Sequence, residues 1–238
     1  MPETMKICLV VPTYNERDNI APFLGAVRAV CDQSVSVLFV DDSSPDGTAD
    51  VIRGEAAHDP MVNLMVRKEK MGIGSAHQDG FREALKSLSP AIIVQMDADL
   101  QHPPSAIASL VAAVEGGADV AIASRYIPGG GSSGWSRWRR IVSRGANAYA
   151  RTLLGLKVRD ATSGFRAYGK AAAEVIAKVG LPTKGFEFQV ASIRLLQREK
   201  MKLVEVPYTF SVRSAGTSKL KFADVVRFFF SVLSLSLS

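Results

Sequence analysis

Cysteine is nearly absent from this chain: Cys8 and Cys31 are the only two, each in an apolar setting. Neither a disulfide framework nor a zinc site is suggested, and a reducing, cytosolic setting is expected. Histidine is also scarce, and His102 is the only one in the crevice predicted below, so an imidazole base is poorly supplied. No signal-peptide core follows a basic start, because Met1 to Lys6 leads directly into a core strand; retention inside the cell is expected. Long repeats, clear linkers and nucleic-acid-binding motifs are missing too, which favours one catalytic domain and no nucleic-acid partner.

What is present suits a full globular core: 238 residues, 47% hydrophobic and 22% charged. A net charge of +6 favours an anionic partner without choosing among nucleotide, phospholipid and nucleic acid.

The informative stretch is AIIVQMDADLQHPP, Ala91 to Pro104. Ala91 to Met96 has the length and apolarity of a buried parallel strand and ends in carboxylates. In an extended chain side chains two apart point the same way, so Asp97 and Asp99 converge, with Gln101 next on that side. Two hard carboxylates with open positions suit Mg²⁺ or Mn²⁺ shared with a substrate diphosphate, whereas the plainer reading is a pair of surface aspartates in a turn.

Around it strands and helices alternate. Met5 to Val11 is a first strand followed by PTYNE (Pro12 to Glu16), and Ile20, Phe23, Leu24, Val27 and Val30 mark a helix. Val35 to Val40 is a second strand, stopping at Asp41-Asp42 before the turn SSPDGT, with Thr48 as a cap. Asn63 to Val66 is a third, before a helix with Phe81, Leu85 and Leu88 on one face. This rhythm predicts a mainly parallel sheet flanked by helices, with the loops after strands one, two and four along one edge, where ligands bind. Pro12, Tyr14, Glu16, Asp41, Asp42, Asp97 and Asp99 are expected to share that crevice.

Farther on come a helix at Pro104 to Val114, a strand at Asp119 to Ala123 and the Gly/Ser-rich Ile127 to Gly134, which reads as a mobile lid or hinge. Trp135 to Arg151 holds five arginines and two tryptophans, suited either to a headgroup or phosphate-bearing partner or to a solvated face over core tryptophans. Gly164 to Tyr168 is expected as an edge strand, Phe186 to Leu196 as a buried helix bearing Glu187, and Leu203 to Val212 as a strand that Pro207 confines to an edge or bulge. The boundary is drawn at residue 220. Residues 221–238, apolar with serines but interrupted by Asp224 and Arg227, fall short of the roughly 20 apolar residues that span a bilayer, and an amphipathic interfacial helix is expected. The competing expectation is a helix packed on the domain or an oligomer contact.

PTYNE, VDDSSPDGT (Val40 to Thr48), DADLQHPP (Asp97 to Pro104), SRY (Ser124 to Tyr126), SGFR (Ser163 to Arg166), KGFEFQ (Lys184 to Gln189) and VPYTFSVRSAGTSK (Val206 to Lys219) together resemble the dolichyl- or polyprenyl-phosphate mannose synthases of glycosyltransferase family 2. The resemblance runs from about Lys6 to Phe222. It implies an α/β, GT-A-type fold and inverting transfer of mannose from GDP-mannose to a dolichyl or polyprenyl monophosphate. It also implies a divalent cation, Mg²⁺ or Mn²⁺, and peripheral contact with the cytoplasmic face of the membrane.

By that resemblance Pro12, Tyr14, Glu16, Val40 and Asp42 hold the nucleoside. Asp97, Asp99 and Gln101 bind metal and diphosphate, and Ala98 meets the nucleotide through its backbone. Arg125, Lys184, Arg213 and Lys219 meet phosphates, with Asp99, Arg125 and Arg213 the catalytic set; Arg139 and Ser143 take the acceptor phosphate. His102 and SGFR lean toward the mannose branch rather than a UDP-glucose-using relative. An acceptor that is already an anion needs no protein base. A non-catalytic sugar-nucleotide or membrane-binding module and a nucleotidyltransferase are the readings from other classes.

Overall fold

The computed structural model describes residues 6–31, 35–181, 183, 185–211 and 222–237. Strands β1 (Ile7–Thr13), β2 (Val35–Asp41), β3 (Val62–Val66), β4 (Ile92–Gln95), β5 (Val120–Ser124), β7 (Arg166–Gly169) and β8 (Leu203–Pro207) form one sheet in the order β3-β2-β1-β4-β7-β5-β8. A two-residue strand, β6 (Gly131–Ser132), pairs separately with β9 (Thr209–Phe210). Every pairing in the large sheet is parallel except those of β7 with β4 and with β5. Helices α1 (Arg17–Arg28), α2 (Thr48–His58), α3 (Ile73–Glu83), α4 (Ile107–Glu115), α5 (Arg137–Leu154), α6 (Lys170–Val179), α7 (Phe188–Arg198) and α8 (Phe222–Leu237) complete the described elements, together with a π turn at Ala84–Leu88.

The continuous apolar strands are buried on both faces. In β1, Leu9 and Val11 face a core shared with Ile20 and Phe23 of α1 and Ile107 and Leu110 of α4, while Cys8 and Val10 face Phe81 of α3, Ile176 of α6 and Phe188 of α7. Burial pushes the Cys8 thiol up to about 12, consistent with an inert core residue. Gly80 is required where α3 crosses the sheet: a Cβ there would lie 2.5 Å from Val10 Cγ1.

The expectation of an edge strand at Gly164 to Tyr168 is corrected: β7 lies inside the sheet between β4 and β5. Arg166 is fully buried there. Its Nη1 donates to Ser192 Oγ (2.9 Å) and its Nη2 to the Ala161 carbonyl (3.0 Å). Two residues on in the same strand, Tyr168 Oη donates to Gln95 (2.9 Å) and Gln95 Nε2 to Gln189 (2.9 Å), a buried polar chain joining β7, β4 and α7. Pro207 ends the outer strand β8, as its missing N–H predicts.

Two other expectations change. Ile127 to Gly134 is tied down rather than a free lid: Gly131 N–H donates to the Tyr208 carbonyl and Ser133 N–H to that of Phe210, and a Cβ on Gly130 would meet Ser124 O at 2.3 Å. Helix α8 is not a simple amphipathic helix. Phe228 and Val232 are buried against the domain, Tyr149 of α5 donates to the Phe229 carbonyl, and Phe229, Phe230, Leu233 and Leu237 are exposed, so apolar side chains occupy both sides. No helix among the described residues is long and apolar enough to cross a membrane.

Candidate active site

Because β2, β1 and β4 are adjacent and parallel, the loops leaving their C-terminal ends gather at one edge. Each loop carries a non-glycine residue in the left-handed region: Asn15 (φ 54°), Ser43 (φ 56°) and Leu100 (φ 60°). Such backbone is uncommon outside glycine and persists only where neighbours hold it. Here they do. Thr13 Oγ1 and Ser44 Oγ donate to the buried Asp41 carboxylate (3.0 and 2.6 Å), and Ser44 N–H adds a third bond. Asn15 N–H donates to Ser44 Oγ and Glu16 N–H to Thr48 Oγ1, both at 3.0 Å, which laces PTYNE to the β2 loop. Pro12 sits past the last β1–β4 residue pair, Val10 with Gln95, so its missing N–H leaves that ladder intact.

Asp41 is thus a structural anchor. Asp42 is engaged as well: Oδ1 pairs with the buried Arg67, and Oδ2 accepts from Gly72 N–H (2.9 Å). Arg67 also reaches Asp79 (3.1 Å) and Ser75 (2.8 Å), and Lys70 Nζ lies 3.5 Å above the centre of the Tyr14 ring. The loop after β3 is therefore one wall of the crevice.

At β4 the strand stops at Gln95, and the chain turns through Leu100 instead of continuing extended. Asp97 stands at the half-exposed mouth while Asp99 is buried, its Oδ1 accepting Gln101 N–H (3.0 Å). Gln101 leans toward Ser211: its Nε2 is 3.4 Å from the Ser211 carbonyl, and Ser211 N–H donates to its own carbonyl (3.1 Å). No group of three or more His, Cys, Asp or Glu able to hold a metal occurs among the described residues. Two hard carboxylates on a tight turn fit a Mg²⁺ or Mn²⁺ ion that takes its remaining ligands from a diphosphate and water.

His102 joins this turn to the side of the crevice where Arg125 lies. Its buried ring stacks on Phe165 (5.1 Å between centroids), and Nδ1 accepts the Asp97 N–H (3.1 Å). Burial, with the Arg125 charge nearby, pushes its pKa down to about 4 despite Asp99, so it is neutral at pH 7. Phe210 lies 5.8 Å from His102, and the Arg125 guanidinium lies 5.7 Å from Phe210 and 5.3 Å from Trp135.

The family model for glycosyl transferase family 2 matches residues 8–176. The chain belongs to glycosyl transferase family 2. It is 40% identical, over 96% of this chain and 86% of the relative, to a polyprenol monophosphomannose synthase of Mycolicibacterium smegmatis. It is 39% identical, over 91% and 88%, to an undecaprenyl-phosphate mannosyltransferase of Micrococcus luteus. In fold it is similar to a mannosyltransferase of Pyrobaculum calidifontis solved in complex with GDP-Man and Mn²⁺, with a TM-score of 0.61, 17% identity, and coverage of 98% of this chain and 65% of that one. The protein is an enzyme, a GT-A-type glycosyltransferase.

Within that family fold the expected phosphate residues divide. Arg125 is held from within the protein: its Nε and Nη2 are bound by the fully buried Asp160 (2.7 Å each), and Nη2 also donates to Thr162 Oγ1 (2.9 Å). Burial alone would lower its pKa, but Asp160 outweighs burial and raises it. Only Nη1 is left without a partner among the described residues. Arg139 and Ser143 lie one turn apart on α5, with the Arg139 guanidinium 4.4 Å from the Trp135 ring centre and Ser143 Oγ accepting from Tyr126 Oη (2.7 Å). Val40 and Ala98 are buried backbone positions at the crevice. Lys184, Arg213 and Lys219 lie outside the described residues.

Several residues that shape the site carried no motif signal. Arg67, Lys70, Asp160 and Thr162 take their roles from partners 25 to 56 positions away, a separation that local patterns do not encode.

Proposed function

We propose that this enzyme moves mannose, with inversion, from GDP-mannose to the monophosphate of a polyprenol or dolichol while held peripherally at the cytoplasmic face of the membrane. One observation carries the acceptor class. Helix α5 brings Ser143 to Tyr126 and Arg139 over the Trp135 ring that Arg125 also meets, and it leaves Trp138 (72% exposed) and Ile141 (62%) outward beside the exposed Arg137 and Arg144. An apolar, cationic outer face next to these arginines suits a lipid whose charged head enters the site while its tail stays outside. The names of the relatives support polyprenyl phosphate, and the complex of the Pyrobaculum protein supports GDP-mannose and Mn²⁺.

Pro12, Tyr14, Glu16, Val40 and Ala98 line the nucleoside side, with Asp42 acting through Arg67 and Gly72. Asp97 and Asp99, with Gln101 beside them, would hold Mg²⁺ or Mn²⁺, which when bound neutralises charge on the departing diphosphate. A phosphate oxygen of the acceptor forms the new bond to the anomeric carbon as the bond to the GDP β-phosphate oxygen breaks, and the electron pair leaves with GDP. No proton needs to move. The neutral, backbone-bound His102 fits this, since it is poised neither as base nor as acid. Arg139, Ser143 and the free edge of Arg125 gather the acceptor phosphate, and Lys184, Arg213 and Lys219 complete the proposed phosphate set.

The test is transfer of label from GDP-mannose, with UDP-glucose in parallel, into an organic-extractable product given polyprenyl phosphate and Mg²⁺ or Mn²⁺. Mannosyl lipid is expected, and Asp99→Ala should lower its formation by at least about 100-fold, since transition-state charge stabilisation worth several kcal/mol is lost. Glucosyl lipid, or no lipid product despite donor binding, overturns the reading.

A further inference from the structure

Helix α5 is seated on the protein in an unusual way. Of its 18 residues only Asn147 and Ala150 are buried; Ala146, Tyr149 and Leu154 pack partly against the core, while Trp138, Ile141, Val142 and Leu153 face outward. An amphipathic helix ordinarily buries its apolar stripe. Here the stripe that meets the Arg125 loop is polar: Ser143 and the buried Asn147 lie four residues apart and so share a face, with the exposed Arg139 one turn before them.

Asn147 closes a reciprocal pair with Thr162, donating through Nδ2 to Thr162 Oγ1 (2.8 Å) and accepting Thr162 N–H at Oδ1 (3.2 Å). The same Thr162 hydroxyl accepts from Arg125 Nη2 (2.9 Å) and faces Asp160 Oδ1 (3.4 Å). Behind it, the Glu205 carboxylate on β8 accepts the backbone N–H groups of Arg159 (2.8 Å) and Asp160 (2.9 Å), which fixes the loop that presents Asp160 and Thr162. One turn toward the N-terminus of α5, Tyr126, the neighbour of Arg125 in the chain, bonds Ser143. The helix is thus bolted to the Arg125–Asp160 pair at two successive turns.

We infer that Asn147 and Thr162 are positioning residues for the acceptor phosphate, setting the distance between the Arg139–Ser143 face of α5 and the open edge of Arg125. The inference rests on the lipid-phosphate reading above. It follows from where α5 meets the Arg125–Asp160 network: beside the Tyr126–Ser143 bond, the height and rotation of the helix over Arg125 are set by the Asn147–Thr162 pair. A shift of about 1 Å in a group that aligns reactants costs on the order of a hundredfold in rate. Thr162 bonds Arg125 and Asn147, so its effect is expected at the acceptor phosphate that Arg125 and α5 gather.

Thr162→Val keeps the shape and removes the hydroxyl, Thr162→Ser restores it, and Asn147→Leu removes both helix bonds. Steady-state transfer is measured with polyprenyl phosphate and GDP-mannose each varied, alongside thermal melting. Thr162→Val and Asn147→Leu are expected to raise the KM for polyprenyl phosphate about tenfold, the effect of about 1.4 kcal/mol, with the KM for GDP-mannose unchanged, and Thr162→Ser to restore it. If Thr162→Val matches the parent in acceptor KM, or if donor and acceptor KM move together, the clamp is overturned while the function stands. A parent chain that transfers no mannose to lipid phosphate overturns the function, and the clamp with it.

Discussion

Asp160 receives Arg125 three times over: through Nε and Nη2 at 2.7 Å each and through the Arg125 backbone N–H at 2.9 Å. Both side chains are buried, so neither charge has water to fall back on. Removing only the acid strands the cation. Asp160→Ala should destabilise the fold by about 3–5 kcal/mol, whereas the double variant Arg125→Met with Asp160→Leu should recover much of that loss. Denaturant unfolding of the two proteins decides it; equal destabilisation would show that the pair is not an isolated charge couple.

Gly130 lies against the backbone of the Ser124–Arg125 step, with a Cβ position 2.3 Å from Ser124 O. Gly130→Ala should therefore cost about 1–3 kcal/mol through overpacking and slow transfer by displacing Arg125. A free lid would accept the alanine without loss in the melting temperature, which makes thermal unfolding the deciding measurement.

His77 is fully buried, stacked on Phe188 (5.5 Å), and neither ring nitrogen has a partner among the described residues. Burial and the facing charges of Arg166 and His102 push its pKa down from 6.5 to about 3. Between those values the unfolded chain binds a proton that the folded chain refuses. Its stability is thus whole above about pH 6.5 and falls by about 1.4 kcal/mol per unit as the pH drops toward 3. His77→Leu should melt at pH 7 as the parent does or slightly higher, and at pH 5 should be more stable by about 2 kcal/mol. Parallel acid dependence in the two proteins would refute this.

Trp138 on α5 and Phe230 on α8 stand on the outer surface, joined through the contact of Tyr149 with Phe229. Trp138→Glu and Phe230→Glu should each weaken binding to phosphatidylglycerol vesicles by about tenfold or more, from the loss of a large apolar contact. Turnover of a short-chain, water-soluble polyprenyl phosphate should stay at the parental level. Raised salt should weaken vesicle binding of the parent as well, through Arg137, Arg140 and Arg144. Undiminished vesicle binding by both variants would move the membrane contact elsewhere.

The sequence by itself determined the parallel strand–helix rhythm, because strands such as Val35 to Val40, apolar but for Ser36, read as nearly continuous apolar runs when both sheet faces are covered. It also determined that the loops of Pro12, Asp42 and Asp97 share an edge, which follows from strand direction and crossover hand. Pro207 marked an outer strand for lack of one N–H. Other assignments needed the third dimension. Nothing in GFRAY reveals that Arg166 is buried, because its satisfaction depends on Ser192, 26 positions away. Apolar residues on every side of α8 leave its docked face undefined until Val232 meets the domain. That Asp160 holds Arg125 depends on a carboxylate 35 residues downstream, and the seating of α5 becomes legible only once Asn147 meets Thr162. Periodicity reports which face of an element avoids water; the partner of a buried charge is chosen by tertiary packing.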